Sequence, residues 1–222
     1  MLEPARESRN PKPETTPDYF QVFGLVRKLT LDPAELEKEF YAQSRKLHPD
    51  RFAGKSVEEQ EWATEQSSLL NDAYRTLKDP IARTEYLLSL EGVNMEEQSR
   101  SASDSARASG TEKKQVVPPE LLEEVFEMNM QLQEMKMAHQ MGEEPDAETQ
   151  QGLEASRANF QSKLSGIDED LKAQWTRWDA VVDCGAADGT IGAEVRDAMV
   201  EVLNRRSYVR NLVRDVGAAL DG

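Results

Sequence analysis

The sequence predicts an all-α protein: an N-terminal helical hairpin followed by a C-terminal three-helix bundle. Three observations carry this. Apolar residues recur at three- and four-residue steps, and 118–222 shows no strand-like alternation. Helix starts and stops are marked by Asp, Ser, Pro and Gly at the positions that cap helices. Between the two parts, 94–117 holds Ser99, Ser101, Ser103, Ser105 and Ser109 among small and charged residues. That segment buries too little apolar surface to offset ordering, so it reads as a flexible linker. The 222 residues suffice for one large domain or two small ones, each with a core.

The first segment, 1–17, carries four prolines and Glu3, Glu7 and Glu14, and reads as a disordered tail. Asp18-Tyr19-Phe20-Gln21-Val22-Phe23-Gly24 is a short helix stopped by glycine in a left-handed cap. Asp32-Pro33-Ala34-Glu35 starts the next, with Asp as N-cap and Pro at the first helical position. Leu36, Phe40 and Leu47 share one face, and the helix stops near Leu47 because a residue before proline avoids the α region. Ser56-Val57-Glu58-Glu59 is a capping box, and Trp62, Leu69, Ala73 and Leu77 are the expected packing face of the helix it opens. Asp79-Pro80 punctuates, and Ile81 to Leu90 forms a further helix stopped at Gly92. His48-Pro49-Asp50 is then an exposed, proline-stiffened loop between two antiparallel helices.

In the C-terminal part, Leu121, Val125, Met128, Leu132 and Met135 form a core stripe. Leu122, Phe126 and Met130 step by four on roughly the opposite face, at 100° per residue. A helix packed on one side has no need of them, so they mark either a second buried face or a binding surface, flanked by Glu123, Glu124, Glu127 and Glu134. Gly142 and Pro145 end this helix, and Asp146 caps the next. Leu153, Phe160, Leu164, Ile167, Leu171, Trp175 and Trp178 continue to a break at Cys184–Gly189. Ile191, Val195, Val202, Val209, Val213, Val216 and Leu220 line the last helix, and short loops favour an up-down-up bundle.

Composition narrows the function. The formal net charge of −15 disfavours phosphate backbones, so no nucleic-acid partner is expected. No apolar run reaches the roughly 18 residues of a membrane span. The single cysteine, Cys184, excludes an internal disulfide and a multi-cysteine metal site. Cys184 and His139 are the only candidate nucleophile and spare base, without a phosphate loop or nucleophile elbow, so catalysis is not expected. No cofactor, metal or membrane partner is expected, and the location is read as cytoplasmic.

Residues 18–93 resemble a J-domain. Asp18-Tyr19-Phe20 opens it, His48-Pro49-Asp50 forms its loop, and Leu70-Asn71-Asp72-Ala73-Tyr74-Arg75-Thr76-Leu77 falls in its third helix. More narrowly the chain is similar to the HscB family of iron–sulfur co-chaperones. That likeness rests on Asp18–Leu25, on His48-Pro49-Asp50-Arg51-Phe52, and on Arg83-Thr84-Glu85-Tyr86-Leu87-Leu88-Ser89-Leu90, which generic J-domains lack. The resemblance implies that Asp50 pairs with an arginine of an HscA- or DnaK-type chaperone ATPase and stimulates it. His48 and Pro49 would shape the loop, and Arg45, Lys46 and Arg51 would face the acidic chaperone surface. It also implies that the bundle at 118–222 grips an IscU-like scaffold. The carried-over contacts are Leu122, Phe126, Glu127, Met130 and Glu134 on its first helix and Tyr208 on its last.

The competing reading is a generic J-domain adaptor that presents a different client to a DnaK-type chaperone. The Arg83–Leu90 signature and the Leu122/Phe126/Tyr208 patch favour the iron–sulfur reading. Weak self-association is left open.

Overall fold

The computed structural model describes residues 17–93, 118–142 and 146–221. The expected tail up to Thr16, the expected linker at 94–117 and the stop at Pro145 lie outside the described residues. Seven α-helices are found among the described residues, and no strand: α1 Tyr19–Val22, α2 Pro33–Leu47, α3 Val57–Lys78, α4 Pro80–Leu90, α5 Leu122–Met141, α6 Ala147–Asp183 and α7 Thr190–Leu220. Single 3-10 turns cover Pro49–Arg51 and Pro119–Leu121.

The chain divides into two compact units, one running to Arg83 without 28–30, the other holding Lys28–Thr30 and everything from Thr84. The boundary falls inside α4, ten residues before the 93 at which composition divides the sequence. Two side chains account for this. Arg83, buried, donates from its guanidinium to the Leu77 carbonyl at 2.5 Å, satisfying one of the carbonyls left open in the last turn of α3. Past the other end of α4, Glu91 pairs instead with Arg196 of α7 at 2.7 Å.

In the first unit, α1 is opened by a reciprocal capping box between Asp18 and Gln21 and followed by Gly24 at φ +66°, the conformation glycine adopts without penalty. Asp18 also pairs with Arg27 at 2.8 Å. The Asp32 carboxylate accepts from the Ala34 amide at the start of α2. α2 and α3 pack as a hairpin, with Phe40 stacked on Tyr74 at 4.1 Å and the Tyr74 hydroxyl donating to Glu37. Ser56 and Glu59 close the expected capping box on α3. Its buried face is Ala63, Leu70, Ala73 and Leu77. The expected Trp62 and Leu69 stand one residue, or about 100°, off that line. Trp62 is 52% exposed, so it is not a core residue.

The second unit is the three-helix bundle. Glu124 reaches Asn159 and Lys163, Gln131 meets Ser156, and Glu134 meets Thr149, so α5 and α6 run antiparallel. Arg206 pairs with Asp168 and Arg205 with Asp170, while Gly217 lies against Arg157, which gives α6 and α7 the same relation. Leu153, Phe160, Leu171, Trp178, Val195, Met199, Val209 and Val216 fill the core. On α7 the heptad line Val195, Val202, Val209 and Val216 is buried as expected. Ile191, in the first turn, is exposed, and Leu212 rather than Val213 completes the inner face. Gly192 is required by sterics: a methyl group there would overlap the Ala187 carbonyl of the α6–α7 loop. The same unit holds the short segment 28–30. The Leu29 and Thr30 amides donate to the two oxygens of Asp179 on α6, at 2.7 and 2.9 Å, and Lys28 pairs with Asp183 at 2.6 Å.

Candidate functional site

The loop after α2 is built by short-range bonds. His48 ends α2 and caps the 3-10 turn Pro49–Arg51: its Nδ1 accepts from the Asp50 amide at 3.3 Å, and its carbonyl accepts from the Arg51 amide at 3.0 Å. An acceptor at Nδ1 places the proton of the neutral ring on Nε2, which leaves an N–H for a partner. Pro49 fixes φ at the first position of the turn, and its carbonyl accepts from the Phe52 amide at 2.9 Å. The Asp50 carboxylate is thereby projected into solvent, 89% exposed, with its nearer oxygen 3.4 Å from His48 Nδ1. Arg45, Lys46 and Arg51 are exposed around it. Arg45 and Lys46 occupy the last turn of α2, where cations complement the helix dipole. The six residues expected to meet a chaperone are thus gathered on one short stretch of surface.

The second candidate is the outer face of α5. Leu121, Val125, Met128 and Met135 are buried, while Leu122 is 54%, Phe126 68% and Met130 50% exposed. The alternative of a helix buried on both sides is therefore not what the bundle adopts. Met137 and Met141 are also exposed and extend the outer stripe to the end of the helix. Steps of four, four, seven and four keep all five within an arc of roughly 100°. Those two methionines were legible as the same series and are absent from the expected set. Glu127 and Glu134 are exposed beside the stripe, Glu134 also accepting from the Thr149 hydroxyl at 3.3 Å. Glu124 turns toward α6, pairing with Lys163 at 3.0 Å.

Tyr208 departs from expectation. It is 7% exposed and so does not belong to an exposed contact patch. One helical turn before the buried Leu212, it widens the inner face of α7, and burial pushes its phenol above the ordinary tyrosine value.

No cluster of three or more potential metal ligands occurs among the described residues, and none of the described helices is long and apolar enough to cross a membrane. Cys184 is exposed in the α6–α7 loop.

Comparison with known proteins agrees with this anatomy. The DnaJ domain family matches residues 18–86. The co-chaperone protein HscB of Proteus mirabilis is 40% identical over 89 residues, covering 40% of this chain and 51% of that one. The iron-sulfur cluster co-chaperone protein HscB homolog of Arabidopsis thaliana is 43% identical over 81 residues, covering 36% and 32%. The chain thus matches about half the length of the Proteus relative, or less for the plant one. Among solved structures, the chaperone HscB from Vibrio cholerae superposes with a TM-score of 0.56 at 25% identity, over 92% of this chain and 98% of that one. The human co-chaperone protein HscB shares the fold, with a TM-score of 0.55 at 21% identity over 98% and 93%.

A DnaJ match that runs from α1 into α4, with His48, Pro49 and Asp50 displayed at the end of the hairpin, defines a J-domain protein. Within that class, the curated relatives it is similar to over this region are HscB co-chaperones, and its helical fold is shared with HscB structures.

Proposed function

We propose that this protein is an iron–sulfur co-chaperone that binds an IscU-like scaffold and delivers it to an HscA- or DnaK-type chaperone, whose ATPase it stimulates. Recognition of the scaffold is assigned to the outer face of α5, through Leu122, Phe126 and Met130 with Glu127 and Glu134 beside them. Stimulation is assigned to Asp50, held out by His48 and Pro49, with Arg45, Lys46 and Arg51 steering the acidic chaperone surface. No chemistry is assigned to the chain itself, which is proposed to act in the cytoplasm.

The observation that carries the reading is the two-faced α5. Three large apolar side chains at four-residue steps stay at least half exposed on a helix whose other face is buried. Exposed apolar surface of that regularity is characteristic of an interface. Tyr208, being buried, is left out of the proposed contact set. The test is a titration of the full chain with purified IscU-like scaffold, wild type against Leu122→Ala/Phe126→Ala. Loss of binding in the double variant is expected. Absence of binding by the wild type, with chaperone stimulation retained, would instead assign the protein to the generic adaptors.

A further inference from the structure

The Asp50 turn is closed on one side by α2 and left open on the other, where 52–56 leads into α3. Two aromatic residues meet there. The Phe52 ring lies 6.2 Å from that of Trp62, centroid to centroid and inclined at 51°, within the tilted geometry that aromatic pairs favour. The Lys55 ammonium stands 5.0 Å from the Phe52 centroid on a cation–π contact. Lys55 is itself fixed to the first turns of α3: its ammonium pairs with Glu59 at 3.2 Å, and its carbonyl accepts from the Gln60 side chain at 3.1 Å. Phe52 is bonded from both backbone directions, its amide to the Pro49 carbonyl and its own carbonyl to the Lys55 amide at 3.0 Å. Trp62 does nothing for the core of the hairpin, since the buried line of α3 runs through Ala63 and Leu70. A large indole half open to water is therefore retained against one ring, and that ring ends the turn displaying Asp50.

We propose that Trp62 is a positioning residue for the Asp50 loop: through Phe52 it fixes the 49–55 turn to α3, so that the carboxylate is presented in one orientation. The inference rests on the proposed chaperone reading only for its functional consequence; its structural half stands without a partner. An aromatic pair of this kind changes an equilibrium by about two- to tenfold, which sets the size of the expected effect.

The deciding experiment is amide hydrogen exchange of the full chain, wild type against Trp62→Ala. Exchange at Phe52 and Lys55, whose amides close the turn, is expected to quicken about two- to tenfold, with α3 amides around Leu70 unchanged. Trp62→Phe keeps an aromatic ring at this position and is expected to restore the wild-type rates. Unchanged exchange at Phe52 and Lys55, or quickening spread equally over α3, would overturn the proposal. The functional arm measures stimulation of a DnaK-type ATPase against co-chaperone concentration. The half-saturating concentration is expected to rise by the same two- to tenfold, with maximal stimulation retained. A fall in the maximum in step with a lower melting temperature would make Trp62 merely structural. If wild-type protein stimulates no ATPase, the chaperone reading falls, and the exchange data still decide the fate of Trp62.

Discussion

The loop at 48–52 and the outer face of α5, the two surfaces proposed to meet partners, are held in place in two different ways. The loop is polar and local: the bonds that shape it span two or three residues, and its key carboxylate is almost wholly in water. The α5 face is apolar and depends on distant chain, because Leu122, Phe126 and Met130 point outward only while Val125, Met128 and Met135 are held inward by the bundle. The loop should therefore survive injury to the second unit, whereas the α5 face should not. A local site is robust to the remote core, and an amphipathic face is only as good as the packing behind it.

The largest test of that contrast removes the core. Trp178 is 1% exposed in the core of the bundle, near the C-terminal end of α6. Trp178→Ala is expected to destabilise the second unit by about 3–5 kcal/mol, as for other large aromatic truncations in cores. Urea unfolding should show the loss, and scaffold binding should weaken with it, while stimulation of the chaperone ATPase persists. Equal loss of both activities would mean that the loop is not independent of the bundle.

Asp50→Asn reverses the dissection. It removes a charge that makes only a 3.4 Å approach to His48, so the melting temperature should not move. Stimulation should fall roughly ten- to a hundredfold, the range for losing a charge-assisted bond to a partner, and scaffold affinity should stay as it was. On the other site, Leu122→Ala/Phe126→Ala should raise the scaffold Kd by about thirtyfold or more, the scale of an interface hot spot. Its stability should stay within about 0.5 kcal/mol of wild type, because both side chains already face water. A large drop in stability would mean that these residues serve the fold.

The elements that were legible in the sequence are those whose cause is local. Asp32, Ser56 and Asp146 all cap the helices they announce, since a cap needs only the next three residues. The outer α5 stripe was legible because one helix displayed two apolar series with room for only one inside. What escaped depends on distant partners. The phase of α3 was set one residue wrong at Trp62 because a large aromatic invites a core assignment, while the small Ala63 is what the hairpin buries. Nothing near Leu29 announces that its amide bonds to Asp179, 150 residues on, and joins 28–30 to the second unit. Tyr208 looked like a contact residue by alignment, but packing had already used it. The Arg83 signature was readable as a family mark, and its physical reason, a cap on the Leu77 carbonyl, needed the fold.

The smallest expected effect separates the two units by acid. Asp146 holds the start of α6, accepting from the Thr149 amide at 2.7 Å and its hydroxyl at 3.1 Å, and those bonds lower its pKa from the ordinary 3.8. Glu59 does the same at the start of α3, where bonding to the Ser56 amide and then to Lys55 lowers its pKa from 4.5. A carboxylate with a lowered pKa in the folded state contributes stability that is complete above its unfolded value and disappears as pH falls through the folded one. Both helix starts should accordingly loosen below about pH 4. Asp146→Asn keeps a capping oxygen but no titratable charge, so it should flatten the acid loosening of α6 and leave that of α3 intact. Amide exchange at Thr149 and at Glu59, followed from pH 6 to pH 3, distinguishes the two. If the variant alters both limbs alike, the helix starts are coupled through the molecule, and the independence of the two sites fails at its most sensitive point.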